Sequence, residues 1–92
     1  MSEPDPVVRG LRERITETDH ALLAATNARL ELVAELRRHK EEHGLDFLDP
    51  DRERWMVEDL LAANGGPLSD DGVRELLTFL LDLTKREVAR EG

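Results

Sequence analysis

The 92-residue chain has no cysteine and no tyrosine, and its aromatic residues are one tryptophan and two phenylalanines. Without cysteine there are no disulfides, no thiolate nucleophile and no thiolate-ligated metal. No stretch approaches the roughly 18 consecutive apolar residues of a membrane span. The leading Met-Ser-Glu-Pro-Asp-Pro lacks the basic and apolar regions of a secretory signal, so a soluble cytoplasmic protein is the expectation. Basic charge is also in short supply. Lys and Arg number 13 against 21 Asp and Glu, giving a net charge of -8. That balance argues against nucleic acid or an anionic membrane as the partner, because both reward clustered cations. It leaves room for a small anionic ligand, since a few cations at close range outweigh a screened surface charge.

What is present is helical periodicity. Residues 1–6, with two prolines and two acids, read as a flexible lead-in, and residues 7–90 as one domain. From Val7 to His43 apolar residues recur at Val8, Leu11, Ile15, Leu22, Ala25, Val33 and Leu36, one face of a helix. Gly44 follows a basic run and two histidines, where a helix ends. The predicted first helix has roughly 35 residues and a length of about 50 Å. Asp49-Pro50 marks a second start, cap then proline. That helix runs to about Ala63 and buries some of Trp55, Met56, Val57, Leu60 and Leu61. Asn64-Gly65-Gly66-Pro67 ends it. Ser69 caps a third helix, whose stripe is Val73, Leu76, Leu77, Leu80, Leu81, Thr84 and Val88. The expected fold is all-α, three helices per chain, one long and two shorter.

A monomer of this size has a radius of gyration of about 12 Å, which a 50 Å helix overshoots. A second copy is expected to cover the rest of its apolar stripe, in a symmetric dimer. A plain antiparallel coiled coil fits less well, because Thr18, Thr26 and Arg29 interrupt the heptads.

Two cations interrupt the apolar face. Arg29 lies about 20° from Leu22 and Leu36 around the helix, and Lys40 about 20° from Arg29. A cation in such a stripe calls for a buried acid, an outward-reaching stem or a bound anion, and these two residues alone do not choose. Arg12 is about 100° round from Arg29, so it does not easily address the same pocket from its own chain. In an antiparallel pairing of long helices it reaches the partner's pocket, and otherwise it is a surface arginine beside Arg9 and Arg14. Asp49, Arg52 and Glu53 cluster at the start of the second helix, where caps and solvated charges are ordinary. His39 and His43 share a helical face and, with Asp46, offer a weak zinc motif lacking a further ligand. Trp55 reads as packing.

Together, Leu11-Arg12-Glu13-Arg14-Ile15, Asp19, Arg29-Leu30-Glu31-Leu32, Lys40 and Asp51-Arg52-Glu53-Arg54 resemble the small all-helical chorismate mutases. So do Gly66-Pro67-Leu68-Ser69 and Leu80-Leu81-Asp82-Leu83-Thr84. The resemblance spans residues 8 to 88 in order. It implies an intertwined homodimer with two sites that rearranges chorismate, a dicarboxylate, to prephenate, with no cofactor and no metal. It makes Arg12 the arginine donated across the dimer, and Arg29 and Arg52 the ones that hold carboxylates or order the pocket. Lys40 contacts the ether oxygen and a carboxylate, Asp49 and Glu53 face the ring hydroxyl, and Thr84 contacts a carboxylate. The catalytic set is then Lys40, Arg29 and Arg12. Val88 departs from the pattern, since the family places Gln or Glu there as a second donor to the ether oxygen. The expectation is low turnover or a compensating contact, with water, Glu87 or Glu91 as candidates. The alternatives on the same fold are an isochorismate pyruvate lyase and an aminodeoxychorismate mutase. Outside catalysis, the resemblance extends to a weakly active or noncatalytic helical subunit needing a partner enzyme of the shikimate pathway.

Overall fold

A computed structural model describes residues 5–91, the last without its side chain. It contains three helices, α1 (Pro6–Glu42), α2 (Pro50–Ala63) and α3 (Asp70–Glu91), and no strand among the described residues. The all-α fold with one long and two shorter helices is as the periodicity requires. Cα packing divides the chain between Leu32 and Val33 into two units.

The first unit is the N-terminal part of α1. It starts at Pro6, inside the stretch read as a lead-in. The Asp5 carboxylate accepts from the backbone N–H groups of Val7, at 2.8 Å, and Val8, at 3.4 Å. Asp5-Pro6 is therefore the same cap-and-proline start as Asp49-Pro50. The expectation of a flexible stretch over residues 1–4 lies outside the described residues. Along this unit Leu11, Ile15 and Leu22 are 50%, 58% and 63% exposed. One chain therefore leaves this apolar stripe uncovered. Thr18 and Thr26 turn their hydroxyls back onto the carbonyls of Arg14 and Leu22, which satisfies them without a neighbour.

The second unit, from Val33 onward, holds the core: Ala34 of α1 and Val73, Leu77, Thr84 and Val88 of α3 are buried. Its turns follow from their end residues. At the end of α1, Leu45 N–H donates to Lys40 C=O (2.8 Å) and Gly44 N–H to Glu41 C=O (3.4 Å). This Schellman closure needs a left-handed residue, and Gly44 supplies it with φ 65°. Asp49 caps α2 by accepting from the Arg52 N–H at 3.1 Å. Asn64 closes it and reaches on, its side-chain amide donating to Leu68 C=O at 2.7 Å. Ser69 Oγ accepts from Gly72 N–H at 3.0 Å and starts α3.

Two packing expectations change. No residue of α2 is fully buried, and Trp55 remains 49% exposed, because its ring carries an arginine on one face, described below. On α3 Leu76 is 53% exposed. The core line runs Val73, Leu77, Thr84, Val88, and Leu76 sits about 100° from Leu77 on the helix.

Candidate active site

Lys40, Asp49, Arg52, Glu53, Thr84 and Val88 all belong to the second unit, and Arg12 and Arg29 to the first. In the first, Arg29 is half-buried and Arg12 exposed, with Arg9, Glu13, Thr16 and Glu17 lining an open hollow beside it.

In the second unit the predicted residues are held by three kinds of link. Lys40 is half-buried on α1, and its ammonium donates to the Phe47 carbonyl at 3.3 Å. The closure at Gly44 folds the chain back so that Phe47 comes within reach. At the start of α2, the Asp49 carboxylate is engaged as the helix cap. Arg52, in the same first turn, holds its guanidinium 4.2 Å from the centre of the Trp55 ring. A flat guanidinium stacked on a flat ring is attracted to its face and restrained in orientation, so Trp55 holds Arg52 rather than filling a core. Glu53 is half-buried and pairs with Lys85 of α3 at 3.4 Å, joining α2 to α3.

On α3, Thr84 is 5% exposed and donates to Leu80 C=O at 2.7 Å. Val88, one turn on, is 2% exposed and among the most buried side chains. Its carbonyl lies in the last turn of α3, where helical carbonyls lack a partner within the helix. Arg37 of α1 supplies one: its Nη1 donates to Val88 C=O at 2.8 Å. The Arg37 Nε donates to Glu41 at 2.9 Å, and the guanidinium stands 5.9 Å from the Phe47 ring centroid. Of the donors considered for the Val88 position, Glu87 pairs with Arg90 at 3.2 Å, and the Glu91 side chain lies outside the described residues.

Sequence alone does not single out Arg37, Phe47 or Lys85, and it reads Trp55 as packing. Two signals were available. Arg52 and Trp55 are three apart and so face each other on a helix. Arg37 and Lys40 have the same spacing, which puts both cations on one face. Nothing local marked Lys85 as the partner of Glu53, 32 residues earlier.

The histidines behave as a helix end. Their rings stack with centroids 4.2 Å apart, and His43 Nδ1 lies 2.8 Å from the His39 carbonyl. Among the described residues no group of three or more His, Asp or Glu stands close enough to hold a metal ion. None of the helices is long and apolar enough to cross a membrane.

The second unit thus carries two cations one turn apart on α1, an arginine held by a tryptophan at the start of α2, and buried positions on α3. Donors held in this way need no reorganisation when charge develops on a ligand.

The sequence profile of the chorismate mutase type II family matches residues 11–88. The structure is similar to that of a chorismate mutase (form II) from Thermus thermophilus, with TM-score 0.85 and 30% identity over 90% of this chain and 94% of that one. It is also similar to form I of a chorismate mutase from the same organism, with TM-score 0.81 and 31% identity over 84% and 96%. No curated protein sequence matches the chain at a significant level.

Proposed function

The chain belongs to the chorismate mutase type II family and is a chorismate mutase, an isomerase; from that premise we propose how its residues turn chorismate into prephenate. The observation that carries the reading is the family match across residues 11–88, joined to a fold shared with a chorismate mutase over 90% of the chain.

The reaction is a unimolecular rearrangement in which a C–O bond breaks as a C–C bond forms, with no proton transfer and no covalent intermediate. The protein has two tasks: to hold the compact conformer in which the bond-forming ends meet, and to stabilise negative charge gathering on the ether oxygen. Lys40 takes the second: its ammonium keeps one N–H on the Phe47 carbonyl and turns another to the ether oxygen. Arg29, Arg52 and Arg12 hold the two carboxylates, and Thr84 adds a hydroxyl to one of them. Asp49 and Glu53 receive the ring hydroxyl. Val88 adds an apolar wall.

A second copy of this chain occupies the exposed Leu11, Ile15 and Leu22 stripe. It brings Arg12 of each protomer to the other's site, so a homodimer carries two shared sites. The stripe supports this, since three large apolar residues at helical spacing are left in water by one chain. A chain acting on a soluble metabolite fits the cytoplasm.

The test is to incubate the purified protein separately with chorismate, isochorismate and aminodeoxychorismate and identify the products. Prephenate from chorismate is the expected result. Pyruvate and salicylate from isochorismate alone, or turnover of aminodeoxychorismate alone, would replace the reading with that activity. No turnover of any of them would make the chain a noncatalytic subunit.

A further inference from the structure

Arg37 is held at three points, each on a different part of the second unit. Its Nη1 is fixed to the last turn of α3 through Val88 C=O at 2.8 Å. Its Nε is fixed to Glu41 of its own helix at 2.9 Å. Its guanidinium faces the Phe47 ring at 5.9 Å, within the roughly 6 Å range of cation–π attraction. The side chain is 29% exposed, so these contacts are partly shielded from water. Phe47 is the residue whose carbonyl receives the Lys40 ammonium at 3.3 Å. The ring and the carbonyl of one loop residue thus engage two cations one turn apart on α1.

We propose that Arg37 is a positioning residue for Lys40, acting through Phe47 and through the last turn of α3. The proposal rests on the chorismate-rearranging activity given above. Residues 43–49 are a short irregular connection between α1 and α2, and Phe47 is half-buried within it. With no helix to hold it, the orientation of the Phe47 peptide depends on where its ring is anchored. Arg37 anchors the ring and ties the same point to α3, and the Phe47 carbonyl then fixes where the Lys40 ammonium waits. A flexible four-carbon stem places its charge loosely unless something restrains it. Misplacement of a reacting group by about 1 Å costs on the order of 10²-fold in rate. The competing account is a helix cap alone, in which Arg37 satisfies an orphan carbonyl and complements the α3 dipole. That role affects stability and leaves the chemical step untouched.

The two accounts separate in the kinetics of Arg37→Ala, Arg37→Lys, Phe47→Leu and the double variant Arg37→Ala/Phe47→Leu, with circular dichroism and thermal melts alongside. Phe47→Leu keeps the carbonyl and the apolar bulk but removes the aromatic face. Arg37→Ala is expected to lower kcat for prephenate formation by about 10- to 100-fold, with KM within about threefold. Arg37→Lys, which keeps a cation over the ring, is expected to recover most of that loss. Phe47→Leu should lower kcat in the same sense, and the double variant should be little worse than the worse single one, because both cut one path. A lower melting temperature with unchanged kcat would reduce Arg37 to a cap and overturn the proposal. A raised KM with unchanged kcat would make it a ground-state substrate contact, and strictly additive losses would make the two residues independent. Either result overturns it too. If the unsubstituted protein makes no prephenate, the activity itself is refuted. Equal rates in protein and variants would refute only the Arg37 link.

Discussion

Lys40→Met is expected to lower kcat for prephenate formation by 10²–10³-fold, the cost of about 2.7–4 kcal/mol that follows loss of one preorganised donor. Methionine keeps most of the apolar stem that half-buries the side chain and removes only the charge. The helix and its closure are indifferent to the exchange, because the closing bond uses the Lys40 carbonyl, donated to by Leu45 N–H at 2.8 Å. The loss falls on kcat more than on KM for a physical reason. Charge on the ether oxygen is small in bound chorismate and large as the bond breaks, so the ammonium interacts mainly with the transition state. Steady-state kinetics with chorismate, beside a far-ultraviolet spectrum matching the parent, is the check. A variant retaining most of its turnover would remove Lys40 from the breaking bond.

The second large effect is expected from Ile15→Glu/Leu22→Glu. Both positions are exposed in a single chain, and glutamate is a good helix former. A protein that works as separate chains would therefore tolerate the pair. In the proposed dimer the two residues lie under the second copy, and burying two carboxylates there is costly. Sedimentation should then give the 10.5 kDa of one chain in place of twice that mass. Turnover should fall by more than about 10²-fold, because every site loses a cationic donor with Arg12. The helical signal should fall as well, since a long helix segment without a packing partner is marginal in water. Unchanged mass and turnover would refute the shared interface.

How far these features were legible depends on where their signals lie. The bounds of α2 are set by neighbours in sequence, Asp49-Pro50 before and Asn64 after, so capping rules found them. The same rules applied to Asp5-Pro6 place the start of α1, but two prolines and two acids in six residues suggested fraying instead. Trp55 was assigned to packing because large aromatics are usually buried. With Arg52 three residues away, a stacked pair competes with burial, and here it prevails. The tie from Arg37 to α3 was illegible for a different reason. Its partner is a backbone carbonyl 51 residues on, and a carbonyl leaves no mark in the sequence. The face traced through Arg29, Leu36 and Lys40 also passes about 100° from Arg37 at Leu36, which hid its kinship with Lys40. Val88 was legible as an apolar residue where a donor was expected, whereas its burial required the fold.

The claim that each site draws on two chains is tested most directly by mixing two inactive ones. Arg12→Ala and Lys40→Met proteins are prepared separately, combined in equal amounts under conditions that allow subunit exchange, and assayed for prephenate. In a mixed dimer one site pairs an intact Lys40 with the other chain's intact Arg12, and the other site lacks both. Random exchange in a symmetric dimer makes about half the dimers mixed, so the mixture should recover about a quarter of the parent's activity while each variant alone stays near background. Failure to recover any activity, with exchange confirmed and the parent active, would place Arg12 and Lys40 in the same chain's site and contradict the account.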